Sequence, residues 1–398
     1  MAEKKEVKDK VAKKVSLDAV IRQVNKKYGD NTIITANRYP KLPRFSTGIL
    51  ALDLETGGGV PKGRMTMFFG QESTGKSLVA QMTVISAQHT CRNCDSPMFD
   101  GICSGCDNGA PYICVYEDVE GTFDTDWFVR LGGDLEALTL CQPEFTEQSI
   151  DITEAIIRTG EVDLIVIDSL AMLSPMDELA KSAEDQLVGT HAKLLNRMMR
   201  AISSGFNSLG MMNKRKPAVI MVNQLREKVG VNYGSPETLT GGQGQKFAAS
   251  IRVKFFARPS ERVYESVGDK NAIGQVFRFN VEKNKTFTPH REGMYTLYTA
   301  DSEEFGVSKG DIDTLNQIVT YGVHYGVISG STWLSYPDII TTADGEIVSE
   351  EIIKAQGQAN FLKELKQRPD TCTRIIEQVR QAIVKGAEVQ NADPICQG

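Results

Sequence analysis

The sequence predicts an α/β protein with a mostly parallel central sheet flanked by helices, followed by a smaller C-terminal α/β domain. Three observations carry that prediction. Between about residues 45 and 300, short apolar runs alternate with helical stretches, the pattern of buried strands connected through helices. A glycine-rich turn joins the first apolar run directly to a helical one. Hydrophobic residues make up 41% and charged residues 24% of the 398-residue chain, which allows a sizeable core and excludes disorder throughout.

Taken in order, residues 1–15 are expected to be a basic flexible tail, with Lys4, Lys5, Lys8, Lys10, Lys13 and Lys14 and almost nothing to bury. The next segment, 16–44, opens with Leu17, Val20, Ile21 and Val24 at helical spacing behind a Ser16 cap, and Gly29 ends the helix. A short strand is expected over 32–35, and Pro40 and Pro43 mark a linker. Strands are predicted at 65–69, 112–116, 138–141, 164–168, 218–223, 251–256, 276–282 and 294–299. Helices should fill 76–88, 146–159, 186–204 and about 243–249. The last two strands alternate more strictly, as antiparallel edge strands do. From 301 to 398 helical patterns resume around DIDTLNQIVTYGVHYG, SEEIIKAQGQANFLKEL and TCTRIIEQVRQAIVKG.

The lysine-rich start lacks the apolar run of a signal peptide, and no stretch approaches the roughly 20 apolar residues of a spanning helix. A cytoplasmic protein without membrane contact is the expectation. Formal charge is −6, so any nucleic-acid surface must be a local gathering of Lys and Arg.

Gly70, Gln71, Glu72, Ser73, Thr74, Gly75, Lys76 and Ser77 match G-x-x-x-x-G-K-[ST], between the strand MTMFF and the helical run SLVAQMTVISAQ. In that context backbone N–H groups cradle phosphates, Lys76 reaches the β and γ phosphates, and Ser77 ligates Mg²⁺. ATP is the expected nucleotide. Asp168, ending the buried strand LIVID, is the second candidate Mg²⁺ partner. Glu117, Asp118 and Glu120 follow another strand and could orient water, but spacing does not choose among them.

With these residues in place, the chain resembles the RecA family of DNA strand-exchange ATPases, from about Ser16 to Lys385. STGILALDLETGGGVPKGRMTMFFGQESTGKS looks like the family's approach to its phosphate loop, and VDLIVIDSL like its Walker B strand. MVNQLREKVGVNYGSPETLTGGQGQKFAAS resembles its second DNA-binding loop and the following helix. The resemblance implies a DNA-dependent ATPase that forms helical filaments on single-stranded DNA and exchanges strands with homologous duplex, in recombination and repair. It implies Glu120 as the water-activating carboxylate, Asp124 and Trp127 as adenine contacts, and Gln224 as the γ-phosphate sensor. Lys283 and Lys285 would reach the ATP of a neighbouring subunit, and 16–44 would be the polymerisation arm. Phe247 falls at an aromatic subunit contact, with a core phenylalanine as the alternative.

DNA loop 2 spans 225–245, where Gly230, Gly234, Gly241, Gly242 and Gly244 accompany Arg226 and Lys228. Backbone amides and basic side chains suit phosphodiester binding without base readout. DNA loop 1 falls at 176–190, where acidic residues weaken the resemblance. Loader or single-strand-binding proteins are conceivable partners. A ring-forming motor sharing this core, such as a replicative helicase or branch-migration ATPase, is the main alternative, and an assembly factor with negligible hydrolysis is the second.

The chain departs from the family at 89–111, where it inserts HTCRNCDSPMFDGICSGCDNGAP. Cys91, Cys94, Cys103 and Cys106 have the spacing C-x2-C-x8-C-x2-C, close to a zinc ribbon or paired knuckles. So short an insertion has no core of its own, and structural Zn²⁺ would supply its folding free energy. Oxidation of the C-x-x-C pairs is the alternative. His89 is surplus to a four-thiolate site and reads as a helix-end residue.

Overall fold

The computed structural model describes residues 16–40, 42–99, 101–179, 189–210, 212–213, 215–227, 237–242, 244–266, 268–341 and 347–385. The expected basic tail, most of the expected DNA loop 1, and Lys228, Gly230 and Gly234 of the expected DNA loop 2 therefore lie outside the described residues.

Helix α1 (Leu17–Tyr28) forms as the capping signals require: Ser16 Oγ accepts from the Ala19 N–H at 3.3 Å, and Gly29, with φ 110°, ends it. None of its residues is buried, and Leu17 is 74% exposed. The expected strand at 32–35 is absent. Ile33 instead donates to Asn25 Oδ1 at 2.8 Å and accepts from Asn25 Nδ2 at 3.1 Å, so the helix supplies bonds that a strand would take from a neighbour.

The short pieces β1 (Arg44–Phe45), α2 (Leu50–Thr56) and β2 (Val60–Pro61) lead into β3 (Met65–Gly70) and α3 (Lys76–Gln88). A hairpin, β4 (Met98–Phe99) and β5 (Ile102–Cys103), then interrupts the alternation. It resumes with β6 (Cys114–Asp118), α4 (Thr125–Arg130), β7 (Leu138–Cys141), α5 (Thr146–Thr159), β8 (Leu164–Asp168), α6 (Met176–Leu179) and α7 (Thr190–Ser208). Next come β9 (Ala218–Glu227), β10 (Glu237–Leu239), α8 (Gly244–Ala248), β11 (Ile251–Val263), β12 (Gly274–Asn284) and β13 (Arg291–Tyr298).

These strands make one sheet in the order β13-β12-β11-β3-β9-β8-β6-β7, with β10 added to β9. From β11 to β7 the neighbours run parallel, and β12 and β13 add the expected antiparallel edge. Successive residues feed opposite cores because side chains alternate across a sheet. Leu164, Val166, Ile220 and Val222 join α2, α3 and the C-terminal helices, whereas Ile165, Ile167, Val219 and Met221 join α5 and α7. That double burial explains why these runs are continuously apolar.

The two margins of the sheet differ. Residues 310–313 run along β13, with Gly310 N–H donating to Tyr298 O at 2.8 Å and Asp313 N–H to Thr296 O at 3.0 Å. Nothing among the described residues lies along the outer side of β7, where Leu140 is 42% exposed.

Beyond the sheet, α9 (Thr314–His324) is tied back by Gln317 Oε1, which accepts from the Ala51 N–H at 2.7 Å. Here the helical expectation fails for SEEIIKAQ. Residues of β14 (Trp333–Thr341) and β15 (Ile347–Gln356) form an antiparallel hairpin, with Ile353 and Ala355 alternately buried. The period of two wins because that face packs on α10 (Gly357–Lys366) and α11 (Pro369–Lys385). Among the described residues, no helix is long and apolar enough to cross a membrane.

Candidate nucleotide site and metal centre

Parallel register gathers the candidate residues at one end of the sheet. Gly70 pairs with Gln224, and Asp118 pairs with Asp168, so the phosphate loop and both acidic strand ends open onto the same edge. Gly75 stands at φ 84° ahead of α3, a conformation that suits glycine and turns the chain into the helix. Lys76 is buried, and its ammonium donates to Gln71 O at 2.5 Å; burial lowers its pKa, opposed by Asp168, Glu120 and Glu72.

Asp168 is also buried. Its Oδ2 accepts from the Tyr116 hydroxyl at 2.6 Å, while Oδ1 has no hydrogen-bond partner. Burial raises its pKa, opposed by hydrogen bonds from Tyr116 and Ser77. A buried carboxylate oxygen without a donor, beside the Ser77 hydroxyl, is a fitting pair of oxygen ligands for Mg²⁺.

The three neighbouring carboxylates separate cleanly. Strand β6 begins at Cys114 rather than 112 and runs on through Asp118, which draws Glu117 and Asp118 into the sheet. Asp118 accepts from the N–H groups of Thr122 and Phe123 and from Gln142 Nε2, at 3.1, 3.2 and 3.0 Å. Glu117 accepts from Ser149 Oγ at 2.5 Å and Thr153 Oγ1 at 2.6 Å. Only Glu120 extends past the strand end, where it accepts from Gln224 Nε2 at 2.7 Å and from the Ser169 hydroxyl. Tyr116 and Ser169 escaped the sequence reading, since one hydroxyl lies inside an apolar run and the other follows one.

Glu117 gives a stability prediction. Burial pushes its pKa up from 4.5 to about 7, against the pull of its two hydroxyl donors. With the folded value above the unfolded one, its contribution is fully present below pH 4.5 and is lost as pH rises through about 7. Glu117→Gln is expected to remove about 3 kcal/mol of that pH dependence, read from urea melts of both proteins at about pH 5 and about pH 8.

Asp124 caps α4, its Oδ1 accepting from the Trp127 N–H at 3.0 Å, and Trp127 is half-buried with Lys309 Nζ 5.7 Å from its ring centroid. Backbone pairing sets Arg226 opposite Thr238 within the segment expected to be DNA loop 2, and Gly241 and Gly242 follow at φ 85° and 81°. Lys283 and Lys285 are not brought to this edge. Lys283 donates to the carbonyls of Lys246 and Phe247 at 2.6 and 3.1 Å, and Lys285 borders a cavity of about 1420 Å³ at the opposite end. Phe247 is 75% exposed, which removes the core alternative.

Residues 15–302 match the sequence profile of the RecA N-terminal domain. The chain is 33% identical over 331 residues to Protein RecA of Wolinella succinogenes, covering 82% of this chain and 83% of that one. The chain belongs to the RecA family. Protein RecA of a Nitratiruptor species is 32% identical, covering 93% and 94% of the two chains, and that of Agrobacterium fabrum is 32% identical, covering 98% and 94%.

Within this RecA-family chain the segment around the β4–β5 hairpin brings four cysteines together. The four sulfurs lie within 4.8 Å of one another, with Cys91···Cys106 at 3.7 Å, Cys94···Cys103 at 3.4 Å, and Cys106 at 3.6 Å from both Cys94 and Cys103. A tetrahedron built on Zn–S bonds of about 2.3 Å has edges of about 3.8 Å. Asn93 and Gly105 aim their N–H groups at Cys91 and Cys103 sulfur, at 3.4 and 3.2 Å, as thiolates require. His89 takes no part: it ends α3, and its Nε2 meets Gly132 O at 2.8 Å. Arg92 ties the module to Asp163 at 2.8 Å, and the Tyr112 hydroxyl donates to Asp95.

Proposed function

We propose that this RecA-family chain is an ATP-dependent recombinase that polymerises on single-stranded DNA, pairs it with homologous duplex and exchanges strands. The observation that carries this reading is Gln224, whose side chain touches Glu120 and whose strand runs on into DNA loop 2. One side chain thus lies between the hydrolytic carboxylate and the DNA segment. A contact that differs between ATP and ADP would shift the loop between two states.

Residues 70–77 bind the phosphates, Asp124 and Trp127 hold the adenine, and Ser77 with Asp168 hold Mg²⁺, which stabilises charge developing on the phosphates. Glu120 orients the attacking water and receives its proton. Arg226, Lys228, Gly241 and Gly242 grip the phosphodiester backbone. Lys283 and Lys285 act across the subunit junction on a neighbour's ATP. Residues 16–44 form the assembly arm and 301–398 a C-terminal domain. Helix α1 presents an uncovered apolar face, and the bare margin of β7 can accept an extended segment such as 32–35 from another copy. Electron microscopy with ATP and single-stranded DNA, joined to a strand-exchange assay, tests this reading; closed rings would favour the ring motor instead.

Cys91, Cys94, Cys103 and Cys106 hold structural Zn²⁺ in this reading, and four protein ligands leave no position for catalytic water. Cys91→Ser is expected to abolish stoichiometric zinc binding. It should also unfold 89–111, because zinc contributes on the order of 10 kcal/mol to such small modules. Zinc analysis and hydrogen exchange over 89–111 check it. ATP binding should persist, since α3 separates the module from the phosphate loop by about 20 Å.

A further inference from the structure

Behind Gln224 lies a pair of buried amides that the nucleotide site does not use. Asn223 is fully buried and Gln245 is 1% exposed, although one ends the apolar run of β9 and the other begins the turn of α8. Their hydrogen bonds interlock. Asn223 Oδ1 accepts from the Gln224 N–H at 2.8 Å, and Asn223 Nδ2 donates to Gln245 Oε1 at 2.8 Å and Thr240 O at 3.1 Å. Gln245 Nε2 in turn donates to Thr240 O and, at 3.3 Å, to Gly242 O. Both amides are satisfied only while residues 240–242 hold this course.

The same stretch is pressed against α7. A Cβ on Gly244 would fall 1.5 Å from Asn196 Oδ1, so the loop's return lies directly on the helix that follows DNA loop 1. Apolar side chains at 223 and 245 would leave the Gln224 N–H and the Thr240 and Gly242 carbonyls without these partners. Two buried amides are costly unless every donor and acceptor is met, which makes this a junction with a discrete made and unmade state.

Resting on the recombinase reading above, we infer that Asn223 and Gln245 are positioning residues, a latch that couples the position of Gln224 to the root of DNA loop 2. When Gln224 moves between Glu120 and a γ-phosphate, its own N–H pulls on Asn223, and Asn223 holds Gln245 and Thr240. The latch carries the nucleotide's state to residues 240–242 and so to DNA affinity.

The test uses the full chain carrying Gln245→Leu, which keeps the volume and removes the amide, with Gln245→Asn as the conservative restoration. Single-stranded DNA affinity is measured with a slowly hydrolysed ATP analogue and with ADP, alongside DNA-free ATP turnover. The wild-type ratio of the two affinities should be at least about fivefold, the range of ordinary coupling. Gln245→Leu should bring that ratio close to one with DNA-free turnover retained, and Gln245→Asn should recover part of it. An unchanged ratio would overturn the latch, and so would loss of DNA-free turnover in step with the ratio, which marks a residue that merely holds the fold. If Gln245→Leu does not fold, Gln245→Met is read by the same two criteria. A wild-type protein without any ATP preference in DNA binding would instead count against the recombinase reading.

Discussion

Lys283→Ala combined with Lys285→Ala is expected to lower DNA-stimulated ATP turnover by about 10³-fold or more, the loss seen when a cation supplied in trans to phosphoryl transfer is removed. The isolated chain should still bind ATP. The argument is geometric. Lys283 pairs with Arg252, and Arg252 pairs with Met67, three residues short of Gly70. Rise along the strands alone leaves Lys283 about 10 Å behind its own phosphate loop, and two strand spacings add to that. Its ammonium meanwhile points to the Lys246 and Phe247 carbonyls, beside the exposed Phe247 ring. Desolvation, with Lys285 and Arg252 nearby, pushes its pKa down to about 8, and the negative charge of a neighbour's triphosphate would raise it again. Stimulated turnover that survives the double substitution would remove both lysines from the reaction.

Glu120→Gln should reduce turnover by about 10²- to 10⁴-fold, the usual contribution of a positioned general base, while ATP-dependent filaments still assemble. The amide keeps an acceptor for Gln224 and Ser169 but cannot take up a proton. Glu117 and Asp118 do not substitute, because each is buried and already committed to neighbouring donors. Steady-state turnover and microscopy of the same sample decide the matter, and an unaltered rate would exclude Glu120 as the base.

The parallel core was legible because both strand faces are buried, so length and apolarity marked β3, β8 and β9 without any need for periodicity. The phosphate loop was legible because its glycines and Lys76 have little freedom of spacing. What escaped depends on partners distant in sequence. The β14 and β15 hairpin was hidden because SEEIIKAQ is rich in helix formers and only packing on α10 and α11 selects the strand. The expected strand at 32–35 lacks a neighbour within one chain. The choice among Glu117, Asp118 and Glu120 rested on where β6 stops, and a two-residue shift of that boundary changed which carboxylates were buried. Asn223 and Gln245 gave no sequence signal, since a polar residue near a strand end ordinarily reads as the start of a turn.

The unlike margins of the sheet fix the arithmetic of growth. Residues 310–313 run along the 296–298 end of β13 and, among the described residues, nothing covers β7, so if β7 takes up 32–35 of another copy, as proposed above, addition would be head-to-tail with nothing to force closure. A polymer built in this way would have two chemically distinct tips. Monomers would join and leave them at different rates, and a synthetic peptide copying residues 16–40 should stall one tip while sparing the other.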